Sequence, residues 1–71
     1  MKAVYYQVWL DGAPYLRGQK FTDSSTAFVL YDRVAGRISA REARNRLAVY
    51  VVDESGRAPE IHPVPDRRRQ S

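Results

Sequence analysis

Five of the chain's ten arginines, Arg33, Arg37, Arg41, Arg44 and Arg46, fall between positions 33 and 46, a stretch that holds a single acid, Glu42. Residues 1–32 sum to zero charge, because Lys2, Arg17 and Lys20 are matched by Asp11, Asp23 and Asp32. From position 47 onward Arg57, Arg67, Arg68 and Arg69 are matched by Asp53, Glu54, Glu60 and Asp66. The net charge of +4 therefore sits in the middle of the chain. A guanidinium is planar, permanently charged and offers paired N–H donors, so a cluster of them suits phosphate or carboxylate. Arg37, Arg41 and Arg44, aided by Arg17 and Lys20, are the candidate contacts to nucleic acid or a nucleoprotein, and an acidic protein surface offers the same complementarity. The plain alternative is that these arginines are solvated helix formers.

A second group is aromatic. Tyr5, Trp9 and Tyr15, with Arg17, are the residue types that dominate protein-interface hot spots, and their rings also stack on unpaired bases. If the segment 61–64 folds over them they form a minor core instead. The run Arg67-Arg68-Arg69, diluted by Asp66, adds electrostatic affinity wherever phosphate is near.

Other chemistries lack their parts. With no cysteine there is no disulfide staple, thiolate nucleophile or cysteine metal site, and a small secreted scaffold is disfavoured. His62 is the single histidine, which leaves general acid–base catalysis little to work with and gives a metal ion no second imidazole. Asp32 and Glu42 are explained locally, the first beside helix arginines and the second as a helix cap. There is no phosphate loop, nucleophile elbow or dinucleotide fingerprint. The chain is expected to be non-enzymatic, with no cofactor and no metal. No apolar run approaches the roughly 20 residues of a membrane span, and no leader pattern opens the chain, which points to a cytoplasmic, unprocessed protein without membrane contact.

At 71 residues there is room for one core, expected over residues 1–65, with 66–71 as a disordered basic tail. Residues 3–10 (Ala-Val-Tyr-Tyr-Gln-Val-Trp-Leu) are dense in β-branched and aromatic types, and Asp11-Gly12 is a turn signal, so a β-hairpin is predicted with its second strand over 13–21 and a bulge at Gly18. A two-residue loop would set Leu16 opposite Gln7 and mix apolar with polar positions on both faces. A three-residue loop, 10–12, with Gly12 left-handed, groups Leu16 with Val4, Tyr6 and Val8, and is preferred because it separates the faces. The opposite face then carries Tyr5, Gln7, Trp9, Tyr15 and Arg17.

Thr22-Asp23-Ser24-Ser25 supplies acceptors for free amides at a helix start. Ala27, Leu30, Tyr31, Val34 and Ala35 follow at helical spacing with Phe28 at the margin, and Gly36 is a stop. Ser39 and Glu42 have capping-box spacing for a short helix ending near Leu47, with Ala40, Ala43 and Leu47 as its apolar stripe and Arg41 and Arg44 to one side. A single longer helix through Gly36 is the alternative. Residues 48–53 are apolar on both faces and read as a central strand, and 60–62 as a candidate short edge strand restricted by Pro59, Pro63 and Pro65. The fold class is α+β: a small antiparallel sheet (β-hairpin, helix, short helix, strand, short edge strand) with the helices packed on one face.

Phe21, Ala27, Tyr31-Asp32-Arg33 and Ala35 resemble the end of the last strand and the helix of the plant-type AP2 DNA-binding domain. The likeness covers residues 16–35 and implies a shared way of packing a helix on a hairpin. In that family a three-stranded sheet ahead of the helix reads DNA with several Arg and Trp residues, whereas two strands precede the helix here and carry only Trp9 and Arg17.

The expected function is a small binding module that docks on nucleic acid or a nucleoprotein complex through the arginine-rich helical segment. The alternative is an inhibitor or adaptor of the phage or mobile-element type that covers a partner through the aromatic sheet face, and pairing with a second copy through that face is a third use.

Overall fold

In the computed structural model, which describes residues 4–66, the β-branched and aromatic run forms strand β1, Val4–Leu10. Asp11 and Gly12 both take left-handed backbone, with φ of 53° and 81°, and turn the chain in two residues so that Ala13 faces Leu10 and Pro14 faces Trp9. The loop has two residues where three were expected. Strand β2 is only Ala13–Pro14, since proline brings no N–H to extend a ladder. The chain then leaves the sheet in a 3-10 turn, Tyr15–Arg17, which Gly18 closes at φ 78° with its N–H on the Tyr15 carbonyl.

It rejoins at Phe21, which exchanges both backbone hydrogen bonds with Tyr6 at 2.8 and 2.9 Å. Continuing the Leu10–Ala13 register would put residue 17 opposite Tyr6, so four residues are looped out. The strand expected over 13–21, and the register built on it, are corrected accordingly. The clash of Leu16 with Gln7 is avoided by expelling Leu16 from the ladder, at the cost of positive φ at Leu16 and Arg17 (51° and 59°). The cost is accepted without shifting the turn.

Helix α1, Ser24–Ala35, starts on Asp23, whose carboxylate accepts from the Thr26 N–H (2.8 Å) and hydroxyl (2.9 Å). It buries Ala27, Phe28 and Val34, so Phe28 belongs to the core and not to its margin. Phe28 meets Tyr31 edge to face, with centroids 5.6 Å apart. The helix ends before Gly36, and the two helices are separate. Helix α2, Ala40–Arg46, is capped by Ser39, whose hydroxyl accepts from the Glu42 N–H at 3.1 Å. Glu42 does not complete the expected box: its carboxylate is turned to Arg46 at 2.8 Å. Of the expected stripe, Ala43 and Leu47 are buried while Ala40, in the first turn, is exposed.

Strand β3, Leu47–Asp53, follows α2 without an intervening residue. Strand β4, Glu60–Pro63, completes an antiparallel sheet in the order β2-β1-β3-β4. β3 is central, as its two apolar faces require. Its register sets Tyr5 against Val52, Gln7 against Tyr50 and Trp9 against Ala48. Both helices lie on one face, where Val8, Ala27, Phe28, Val34, Ala43, Leu47 and Val49 form the buried cluster. Among the described residues no helix is long and apolar enough to cross a membrane.

Candidate nucleic-acid interface

The direct passage of α2 into β3 puts the last turn of the helix at one end of the sheet. There Arg46 holds Asp11 in a fork, Nε to Oδ1 and Nη2 to Oδ2, both at 2.9 Å, and gives Nη1 to Glu42 at 2.8 Å. The Asp11 N–H also donates to the Arg46 carbonyl at 2.8 Å. The β1–β2 turn is thereby clamped to the end of α2 through backbone and side chain at once. Hydrogen bonds from Arg46, reinforced by its charge, hold the Asp11 carboxyl below the usual carboxylate range, and the two acids raise the arginine's own pKa.

Arg46 is thus committed internally, in ion pairs with both Asp11 and Glu42. Arg37, Arg41 and Arg44 are exposed. Arg37 stands in the turn between the helices with its backbone N–H on the Val34 carbonyl at 3.0 Å. Arg41 and Arg44 are three residues apart on α2, hence neighbours on its surface. Arg44 borders a groove of about 460 Å³ between the helices, with Tyr31, Asp32, Ala35, Ala40 and Ala43. It also borders a second recess of about 330 Å³ at the sheet end, shared with Trp9, Asn45, Arg46 and Tyr50.

Trp9 and Tyr50 belong to the sheet face turned away from the helices. Their rings meet edge to face, centroids 5.1 Å apart and planes at 64°. The indole N–H donates to Gln7 Oε1 at 3.2 Å, while Gln7 Nε2 donates to the Gly18 carbonyl at 2.9 Å. Gln7 is the buried polar side chain of the sheet, 7% exposed, and both ends of its amide are satisfied. It ties the looped-out segment to the ring.

At the other end of the same face, the Tyr5 hydroxyl donates to Glu54 at 2.7 Å and Lys20 places its ammonium 4.7 Å from the Tyr5 ring centre. Donation to the Glu54 carboxylate raises the Tyr5 pKa, with smaller contributions from burial and the acid's charge. Tyr5 and Trp9 are four residues apart on one strand, about 13 Å. Lys20 therefore serves the Tyr5 end and Arg44 the Trp9 end, and Arg17 stands exposed in the looped-out turn.

Two placements differ from those expected. Tyr15 leaves the aromatic face with the 3-10 turn and packs against the helix-side core. The segment 61–64 does not fold over the rings: it pairs along the outer edge of β3, with the Val64 N–H on the Val49 carbonyl at 2.8 Å and the Val64 side chain against the core. Tyr50 and Asn45 were not among the candidates. Tyr50 becomes visible once β3 is paired directly with β1, which sets it opposite Gln7 and diagonal to Trp9. Arg67–Arg69 lie outside the described residues. His62 is exposed on β4, and no group of three His, Asp or Glu side chains suited to a metal ion occurs among the described residues.

Comparison with protein-family models, with curated proteins and with solved structures gave no match. Of the AP2-like residues, Phe21, Ala27, Tyr31 and Ala35 lie in or against the core, while Asp32 and Arg33 are exposed.

Proposed function

We propose that this chain is a non-catalytic module that docks on nucleic acid or a nucleoprotein through Arg37, Arg41 and Arg44. The observation that carries this reading is the division of labour among the arginines. Arg46 meets two carboxylates, Asp11 and Glu42, while Arg37, Arg41 and Arg44 remain solvent-facing on the same helical layer. Exposed guanidinium groups that are not spent on internal acids attract phosphate at long range and bind it with paired donors.

The test is equilibrium binding to mixed-sequence DNA and RNA at low salt, comparing the native chain with Arg41→Glu plus Arg44→Glu. The native chain should bind, and the double reversal should lose at least tenfold in affinity while melting at nearly the same temperature, because both side chains are exposed. Absence of binding by the native chain contradicts the proposal.

A second reading has its own support. The face bearing Trp9 and Tyr50 is not covered by 61–64, and Ile61, on the same face beside Val52, is 45% exposed. An adaptor or inhibitor that covers a protein partner would use that face, and Trp9→Ala would then weaken the partner by about 2 kcal/mol or more.

A further inference from the structure

The recess at the α2–β3 junction combines features that the arginine cluster alone does not have. Its lining joins an aromatic pair, Trp9 and Tyr50 at 5.1 Å, to Arg44 and Arg46 from the last turn of α2 and to Asp11. The indole cannot spin freely, since its N–H is held by Gln7, itself anchored on Gly18. A ring already fixed in place loses little rotamer freedom on stacking. The acid in the recess, Asp11, is met by Arg46 in a two-point fork, so the cation left to recruit a ligand is Arg44. At about 330 Å³ the recess stands at the small end of ligand clefts, which run from about 300 to 1,000 Å³.

We propose that this recess takes one unpaired base of a single-stranded nucleic acid, stacked on the Trp9 indole with Tyr50 as its edge-on support, while Arg44 meets the adjoining phosphate. The inference rests on the nucleic-acid reading above and narrows it to single strands. Charge favours a polyanion over a neutral peptide, and a ring beside a guanidinium serves both parts of a nucleotide. A duplex keeps its bases stacked and paired, and offering one to the recess would require flipping it out. Single strands of DNA and RNA share the chemistry used here, so both belong in the test.

Trp9 is the single tryptophan of the chain, so its emission reports on the recess without a label. The full chain is titrated at low salt with a mixed-sequence single-stranded DNA, the matching RNA, the duplex of that DNA, and inorganic polyphosphate, which carries the charge without the bases. Fluorescence and anisotropy are followed together. Quenching should saturate in step with binding for a single strand, and duplex and polyphosphate should leave the emission nearly unchanged where they bind. Trp9→Leu should lower single-strand affinity on the order of tenfold and leave polyphosphate affinity alone, while Trp9→Phe keeps most of the binding. If Trp9→Leu fails to fold, the native quenching profile still decides. Equal affinity for all polyanions with unchanged emission overturns the base recess and leaves the arginine reading standing. No binding by any of them overturns both.

Discussion

Gln7 and Gly18 show how much hangs on single residues here. The Gly18 backbone sits at φ 78°, and a Cβ added there would lie 3.0 Å from Gln7 Nε2. Left-handed backbone costs a residue with a Cβ roughly 1–2 kcal/mol. Gly18→Ala should therefore lower stability by about that amount in denaturant unfolding, and by displacing the Gln7 amide it should also shift the Trp9 emission. Unchanged stability and emission would mean that the Gly18–Gln7–Trp9 chain of hydrogen bonds does not set the ring. From residue types alone Gln7 is one polar position on an aromatic face. Its role depends on the four looped-out residues, and that excursion is decided by competition between a two-residue turn and the placement of Leu16. Local preference for Asp11-Gly12 won, and the strain moved to Leu16 and Arg17.

Between elements, the contacts that join turn to helix and cap to helix are carboxylate contacts, and they make stability depend on acid. Asp11 has its pKa lowered from 3.8 chiefly by the Arg46 hydrogen bonds, and Asp23 by hydrogen bonds from the Thr26 N–H and hydroxyl. A carboxyl whose folded pKa lies below its unfolded one stabilises the fold in full above the unfolded value and loses that contribution as pH falls through the folded value. Unfolding measured against pH should show stability falling below about pH 4. Asp11→Asn should be less stable than the native chain at neutral pH and should flatten that fall. Equal acid sensitivity in the two proteins would show that the Asp11–Arg46 fork contributes nothing. Tyr5 acts in the opposite sense. Its pKa is raised above 10.0 by donation to Glu54, so its contribution is complete below 10.0 and declines as pH rises through the raised value.

The helical elements were the most legible in the sequence, because their starts are written in single side chains. Asp23 and Ser39 cap where capping residues were read, and α1 stops before Gly36. Spacing was less informative about the partners those side chains choose. Glu42 has capping-box spacing yet prefers the Arg46 guanidinium one turn on, an i,i+4 pair with the favourable Glu-before-Arg order. Tyr15 was misplaced for a different reason: a period-2 pattern holds only while the strand continues, and β2 ends at Pro14.

At the scale of the whole molecule the described chain measures 38 × 27 × 16 Å. The short dimension holds one sheet and one layer of helices, so the other sheet face has no helix on it, and Gln7 and Val52 are buried there among their neighbours on the sheet and the looped-out segment. The α+β class and the central position of β3 follow from the order of apolar runs and are seen in the structure. The meeting of the arginine segment with the aromatic face was beyond the sequence. It arises because α2 runs straight into β3 and because β3 pairs with β1 along its full length, and long-range pairing of this kind has no local signature. Two features that composition presents as separate, a cationic helix and an aromatic strand, become neighbours at Arg44.

Salt dependence tests the central claim most directly. Binding of a single-stranded oligonucleotide is followed by anisotropy across a series of salt concentrations for the native chain and for Arg41→Glu plus Arg44→Glu. Three phosphate contacts from Arg37, Arg41 and Arg44 give a slope of log K against log salt of about −2, from roughly −0.7 per contact on a single strand, and the double variant should retain about a third of it or less. A slope near zero, or the same slope in both proteins, would contradict the account.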